Sequence, residues 1–320
     1  MVSFNKHFIQ KIIPYLHYGM AFFLVCPLSA FASSPIILTS IKPLHSLVAN
    51  LTEGVSNPDL LITGAQSEHT YQLKPSDIKK INQAQIIFWM GETIEPALAK
   101  LFNNADQVHK NSPIIIKLSS VEGLKLLPLR HPDDHESHGD DFHELSHFNY
   151  DAHIWLDIDN VIILINYITQ IFIQNDPDHK VLYQANNQKM ITKLKTLDQE
   201  IVDKLKPVHH KAFIVTHDAY QYFSKHYNLT NDEAISLSPD QSPGTKHLND
   251  IQKKIITNKV TCFFEEPSHK TYFKDILKNN PTIHTKILDP LGGTLKEGPD
   301  LYFTMMKNLA DNFYECLKSE

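Results

Sequence analysis

Ala212-Phe213-Ile214-Val215-Thr216-His217-Asp218 is a short uncharged run, rich in β-branched residues, that stops at an imidazole and a carboxylate. A continuous apolar run of this length reads as a buried strand. The segment that follows, His217–His226, reads as a helix. The same strand-then-helix grammar extends in both directions. Ile36–Ile41, Asp59–Thr63, Gln85–Met90 and Pro113–Leu118 read as strands in the first half, and Ala234–Ser238, Val260–Glu265 and Ile283–Leu288 in the second. Pro43–Glu53, Pro75–Ala84 and Ile94–Phe102 read as helices with proline at or near the first turn, where its missing N–H costs nothing. Thr245–Asn258, His269–Asn279 and Asp300–Leu317 complete the helix set. Such alternation predicts βαβ units: an α/β chain of two lobes with mostly parallel sheets.

The stretch between the lobes contains no glycine from Asp140 to Pro243. Asp176-Pro177 is a helix start. Val181, Leu182, Ile191, Leu194, Leu197, Ile201 and Leu205 keep helical spacing, and Pro207 ends the run. One rigid helix joining the lobes is expected, with two helices broken near Asn186-Asn187 as the alternative.

The chain has 320 residues, 42% apolar and 21% charged, which suits two packed lobes and excludes disorder over most of its length. A formal charge of −6 leaves no basic surface for nucleic acid, so none is expected as a partner. The outlying number is 19 histidines. Histidine is the commonest metal ligand.

Lys6 and Lys11 precede the apolar run Met20–Leu28, and Ala30 and Ala32 give an A-x-A cleavage pattern. Residues 1–32 therefore read as a secretory signal peptide cut after Ala32, in preference to an uncleaved anchor. The expected organisation is an N-terminal lobe over 33–175, a linking helix over 176–207 and a C-terminal lobe over 208–320. Segment 131–147 holds five histidines and six carboxylates with no apolar periodicity, and reads as a solvated, metal-attracting loop. After the leader, two cysteines remain, Cys262 and Cys316. Export favours a disulfide between them over two buried thiols. It would close a loop of about 54 residues, worth on the order of 4 kcal/mol in the chain-entropy model.

In open α/β sheets, ligands bind outside the carboxyl ends of strands. His69 lies in the segment after the second strand, and His217 directly follows the first strand of the second half. His153 lies in Asp151-Ala152-His153-Ile154-Trp155-Leu156-Asp157, and Glu265-Glu266 and Asp289 end later strands. Taken singly, each histidine is more commonly a capping or hydrogen-bonded residue. His217 could open its helix, and His153 could pair with Asp151 or Asp157.

The residues also carry a resemblance. Thr63-Gly64-Ala65-Gln66-Ser67-Glu68-His69-Thr70-Tyr71-Gln72-Leu73-Lys74-Pro75-Ser76-Asp77 resembles the first signature of the periplasmic metal-binding proteins of ABC transporters. Asp151–Asp157 resembles the second, Thr216-His217-Asp218-Ala219-Tyr220-Gln221-Tyr222-Phe223 the third, and Leu288-Asp289-Pro290-Leu291-Gly292 the fourth. The four motifs span essentially the whole chain after the leader. The likeness is to the zinc-uptake subgroup, which also has a histidine- and acid-rich loop and a C-terminal cysteine pair. It implies a periplasmic, monomeric solute-binding protein that passes Zn(II) to an inner-membrane ABC permease with its cytoplasmic ATPase. It carries the ligand positions to His69, His153 and His217, with Glu68 as a further carboxylate. Asp289 matches a ligand of manganese members, so Glu68, Asp289 or water remain open as the fourth ligand. Three imidazoles suit zinc, copper or nickel better than manganese. Asp218 is a candidate for fixing the histidine tautomers.

No catalytic chemistry is implied, and no resident cofactor beyond the carried Zn(II). The alternative is a zinc metalloprotease built on His143-Glu144-Leu145-Ser146-His147, with Glu144 as general base. The acidic, glycine- and proline-containing sequence before it offers no apolar face to hold such a helix. A third class, a zinc buffer without a transporter, differs only in its partner.

Overall fold

A computed structural model describes residues 34–64, 66–103, 112–130, 150–229, 232–236, 244–267, 278 and 280–318. Two four-stranded sheets organise it. The first holds β1 (Ile37–Thr39), β2 (Asp59–Leu60), β3 (Ile86–Trp89) and β4 (Ile114–Lys117) in the order β2-β1-β3-β4. The second holds β5 (Phe213–His217), β6 (Asp232–Ser236), β7 (Cys262–Glu265) and β8 (His284–Ile287) in the order β6-β5-β7-β8. Every strand pairing within these two sheets is parallel. In each sheet the chain moves outward from its first strand in one direction and then crosses back to its other side. That reversal opens a crevice at the carboxyl ends of the first and third strands.

The predicted elements that fall on described residues keep their order, most with trimmed ends, while β6 begins two residues earlier than expected. His217 is the main exception, because it closes β5 instead of opening a helix. Its partner in the ladder is Ser236, and the Asp218 N–H donates to the Ser236 carbonyl at 2.9 Å, which holds the backbone in the sheet through residue 218. The helix α6 begins only at Gln221 and ends at His226. The predicted helix His269–Asn279 falls almost wholly outside the described residues, as do segment 131–147 and the leader.

The N-terminal lobe carries α1 (Lys42–Leu51), α2 (Pro75–Gln83) and α3 (Pro96–Asn103). The next helix, α4 (Ile158–Asn175), is absent from the sequence reading, where its β-branched residues gave no helical signal. Its Asp157 cap accepts the Asp159 N–H at 2.9 Å. Val161, Leu164, Ile165, Ile168 and Phe172 form its buried stripe at three- and four-residue spacing. After a tight turn α4 is followed by α5 (Lys180–Leu205), against which it packs.

With its flanking 3-10 turns, α5 forms one helical run from Pro177 to Val208. At 1.5 Å per residue the 26-residue α5 spans roughly 39 Å. The expected single helix is present and the alternative break does not occur; Asn186 and Asn187 have partners outside the helix. Asn186 Nδ2 donates to the carbonyls of Leu51 and Glu53, closing the open end of α1, and Asn187 donates to Asn166 of α4. The buried face also differs at its start. Val181 is 79% exposed, whereas Tyr183, Asn186, Met190, Leu194, Leu197, Ile201 and Leu205 face inward.

The C-terminal lobe adds α7 (Thr245–Thr257) and α8 (Leu301–Leu317). Helix α8 packs on α5, α1 and β8, and so ties both halves to the long helix. Cys262 of β7 and Cys316 of α8 are joined in a disulfide. One continuous apolar core runs through both lobes, with a smaller cluster around Ile214, Ile251 and Phe263 on the outer side of the second sheet. Among the described residues no helix is long and apolar enough to cross a membrane.

Candidate metal centre

His69, His153 and His217 come from three separate elements and meet between the lobes. His69 lies in the loop after β2, His153 caps the 3-10 turn Ile154–Leu156, and His217 is the last residue of β5. Each offers a ring nitrogen, and the three lie within 4.8 Å of one another. The ring centroids form a nearly equilateral triangle with sides of 5.6, 5.3 and 5.0 Å. His153 and His217 are buried, and the Nε2 atoms of all three are shielded from solvent.

Glu68 adds a carboxylate to the same space. Its Oε1 is 3.7 Å from His69 Nε2 and 4.0 Å from His153 Nε2, and the residue is 3% exposed. Burial pushes its carboxyl up to about 7, with Glu266 and Asp289 adding to the rise and its own backbone N–H and His217 opposing it. Crowding three imidazoles and a carboxyl into a buried space is costly unless a cation compensates. Ligands held 2.0–2.1 Å from a tetrahedral Zn(II) lie roughly 3.4 Å apart. The observed spacings, 3.7 and 4.0 Å from Glu68 to two of the rings and up to 4.8 Å between the ring nitrogens, are wider than that, so the side chains would have to move inward to share one ion.

Two carboxylates orient the rings. Asp151 Oδ1 lies 2.7 Å from His153 Nδ1, and Glu266 Oε1 lies 3.2 Å from His217 Nδ1. A carboxylate only accepts, so each Nδ1 carries the proton and each Nε2 presents its lone pair to the centre. Glu266 is itself held by the Tyr220 hydroxyl, which donates at 2.9 Å, and Asp151 accepts from the backbone N–H of His153. Trp155 packs its ring 5.2 Å from that of His153 and donates from Nε1 to the Pro290 carbonyl at 2.8 Å.

The expected orienting residue, Asp218, is elsewhere engaged. Arg130 grips it, with Nε donating to both carboxylate oxygens at 3.0 and 2.9 Å, so Asp218 anchors the chain ahead of segment 131–147. Asp151 was visible in the sequence as a bland partner for His153, and that pairing is present in addition to the metal-facing geometry. Glu266 had only its place at a strand end to signal it. Trp155 and Tyr220 stand inside the second and third motifs but had no role of their own in the sequence, because only the tertiary contact gives them one.

Asp157, Asp159 and His226 form a second group whose donor atoms lie within 4.8 Å. Both imidazole nitrogens of His226 are already occupied, Nδ1 by Asp157 at 3.0 Å and Nε2 by Asp198 at 2.8 Å. Burial lowers its basicity, but the two carboxylates outweigh that and push it up to about 10. His226 is thus a half-buried imidazolium joining α6 to α5 and to the cap of α4, with no lone pair to offer an ion.

The sequence from residue 37 to residue 316 matches the family described as the periplasmic component A of the zinc-uptake complex. The chain belongs to this family. It is therefore a periplasmic zinc-binding solute-binding protein of an ABC uptake system, a transport component and not an enzyme. Family membership also implies an ABC permease as partner.

A high-affinity zinc uptake system protein from Brucella abortus (strain 2308) is 35% identical over 308 residues, an overlap that covers 88% of this chain and 91% of the relative. One from Haemophilus ducreyi is 31% identical over 292 residues, covering 88% and 93%. Among solved structures, the laminin-binding adhesin of Streptococcus agalactiae superposes with a TM-score of 0.74 at 21% identity, covering 89% of this chain and all of the other. The Zn(II)-bound zinc-uptake-like domain of Streptococcus pneumoniae AdcA gives 0.67 at 23%, with the same coverage. At these identities the solved structures speak for the fold alone. The protease alternative yields to the family assignment, and its segment 143–147 lies outside the described residues.

Proposed function

We propose that His69, His153, His217 and Glu68 hold a single Zn(II) ion in the cleft as a tetrahedral centre of three nitrogens and one oxygen. The convergence of three imidazoles from distant points of the chain carries this reading. Glu68 is favoured over Asp289 as the fourth ligand because its Oε1 already faces two of the rings, whereas both oxygens of Asp289 accept hydrogen bonds within their own turn. Neutral imidazole and thiolate-free chemistry suit reversible capture of a divalent ion.

The working protein starts after Ala32, once the leader is removed in the periplasm. It acts as a monomer with an N-terminal lobe over 33–175, a link over 176–207 and a C-terminal lobe over 208–320. Segment 131–147 collects zinc weakly and passes it to the cleft. Docking on an inner-membrane permease, driven by its cytoplasmic ATPase, separates the lobes and releases the ion.

Zinc titration of the mature chain against a competing chelator tests the centre. One tight site is expected, lost in His217→Ala and retained in His138→Ala. The opposite ranking moves the site into segment 131–147 and defeats the reading.

A further inference from the structure

Asp289 follows β8 at the carboxyl edge of the second sheet and lines one small cavity together with Glu68, His217 and Glu266. A second carboxylate therefore stands beside the proposed centre, yet its oxygens are engaged. Oδ1 accepts the Gly293 N–H at 2.9 Å. Oδ2 accepts both the N–H and the hydroxyl of Thr294 at 3.1 Å. Three donors fill most of the roughly four acceptor positions of a carboxylate.

The turn that supplies those donors is fixed from across the cleft. Buried Lys42 of α1 donates from Nζ to the carbonyls of Gly293 at 2.8 Å and Leu295 at 3.0 Å. Trp155, which packs on His153, holds the Pro290 carbonyl. Gly292 sits at φ 62°, a left-handed conformation that lets the chain wrap back on Asp289. The loop geometry thus keeps the Asp289 carboxylate turned to its own backbone.

The geometry points to Thr294 as a specificity-determining residue: its hydroxyl is the one side-chain donor among the three groups that hold Asp289 inside its own turn, and it so helps to limit the centre to three imidazoles and one carboxylate. That donor set suits Zn(II). Mn(II) favours more oxygen donors and higher coordination, and is denied the second carboxylate. This inference rests on the proposed ligand set and adds a residue that touches no ion. Thr294 is exposed, so losing its hydroxyl leaves the core intact.

The experiment compares the mature chain with Thr294→Val, Thr294→Ser, Asp289→Asn and the double variant Thr294→Val/Asp289→Asn, titrated with zinc and with manganese. In Thr294→Val the zinc-to-manganese affinity ratio should fall about tenfold, the factor worth about 1.4 kcal/mol. Thr294→Ser, which keeps the hydroxyl, and the double variant, which has no carboxylate to release, should restore it. A ratio unchanged in Thr294→Val overturns the inference. Zinc-edge X-ray absorption gives a second reading that does not depend on that variant folding. The wild-type and Asp289→Asn spectra should report the same coordination number, and loss of an oxygen ligand in Asp289→Asn overturns the inference, since Asp289 would then already bind the ion. Wild-type zinc affinity surviving in His217→Ala would instead defeat the ligand set, a separate failure.

Discussion

The carboxylate of Asp151 stands 2.7 Å from Nδ1 of His153, two residues further along the chain. This contact decides which nitrogen of His153 faces the centre. Its Nε2 is buried and lies 4.0 Å from Glu68 Oε1, so its lone pair faces the space shared with the other two rings. Replacing Asp151 with alanine should weaken zinc binding by about 10- to 100-fold, the usual cost of removing a carboxylate that orients a metal-binding histidine. Chelator competition measures the loss, and circular dichroism should show the fold unchanged. An affinity equal to wild type would remove Asp151 from the site.

Zinc binding should release protons near neutrality. The Glu68 carboxyl is pushed up to about 7, above all by burial, so a large share of it is protonated in the metal-free protein at pH 7. An ion favours the carboxylate, and the imidazoles must also be neutral to bind. Affinity should therefore fall as pH drops from 8 to 5. Calorimetry at pH 7 in buffers of different ionisation enthalpy should show net proton release, and Glu68→Gln should reduce it. A heat of binding independent of buffer would contradict the assignment.

His226 should stabilise the fold over a defined pH window. Its folded value is about 10 against about 6.5 when unfolded, because Asp157 and Asp198 outweigh the effect of burial. A raised value means that the stabilisation is fully present below pH 6.5 and fades as pH rises toward 10. At the acid end it fades again as its partner is protonated, since His226 holds the Asp157 carboxyl below its ordinary range despite burial. Replacing His226 with glutamine should cost about 1–3 kcal/mol at pH 6, as expected for losing charge-assisted hydrogen bonds of which only the Asp157 end is fully buried. The gap between the melting curves of the two proteins should narrow by pH 10. A gap constant from pH 6 to 10 would mean that the ion pair is not the source.

The Cys262–Cys316 bond ties β7 to α8, away from the proposed ligands themselves. Replacing both cysteines with serine should lower stability by about 2–5 kcal/mol, measured by denaturant unfolding, with zinc affinity nearly unchanged. A large loss of affinity would show that the bond positions Glu266, four residues beyond Cys262.

The sequence alone determined the local order of this protein. Uncharged β-branched runs such as Phe213–Val215 can only be buried, and their alternation with amphipathic helices leaves parallel sheets as the outcome. Glu68 entered only through the resemblance, whereas His69 and His217 were legible as candidates because strand-end positions are where such sheets place ligands. Helix α4 was not, since its isoleucines favour neither period strongly and its stripe is recognisable only once the core is known. Tertiary structure alone decided how residues remote in the chain divide their roles. Asp218 and Glu266 are both carboxylates near His217, yet Arg130 takes the first and the imidazole the second. Asp289 lies beside the centre but accepts from Thr294. Hydrogen bonds depend on ångström distances between groups far apart in sequence, and spacing along the chain does not encode those distances.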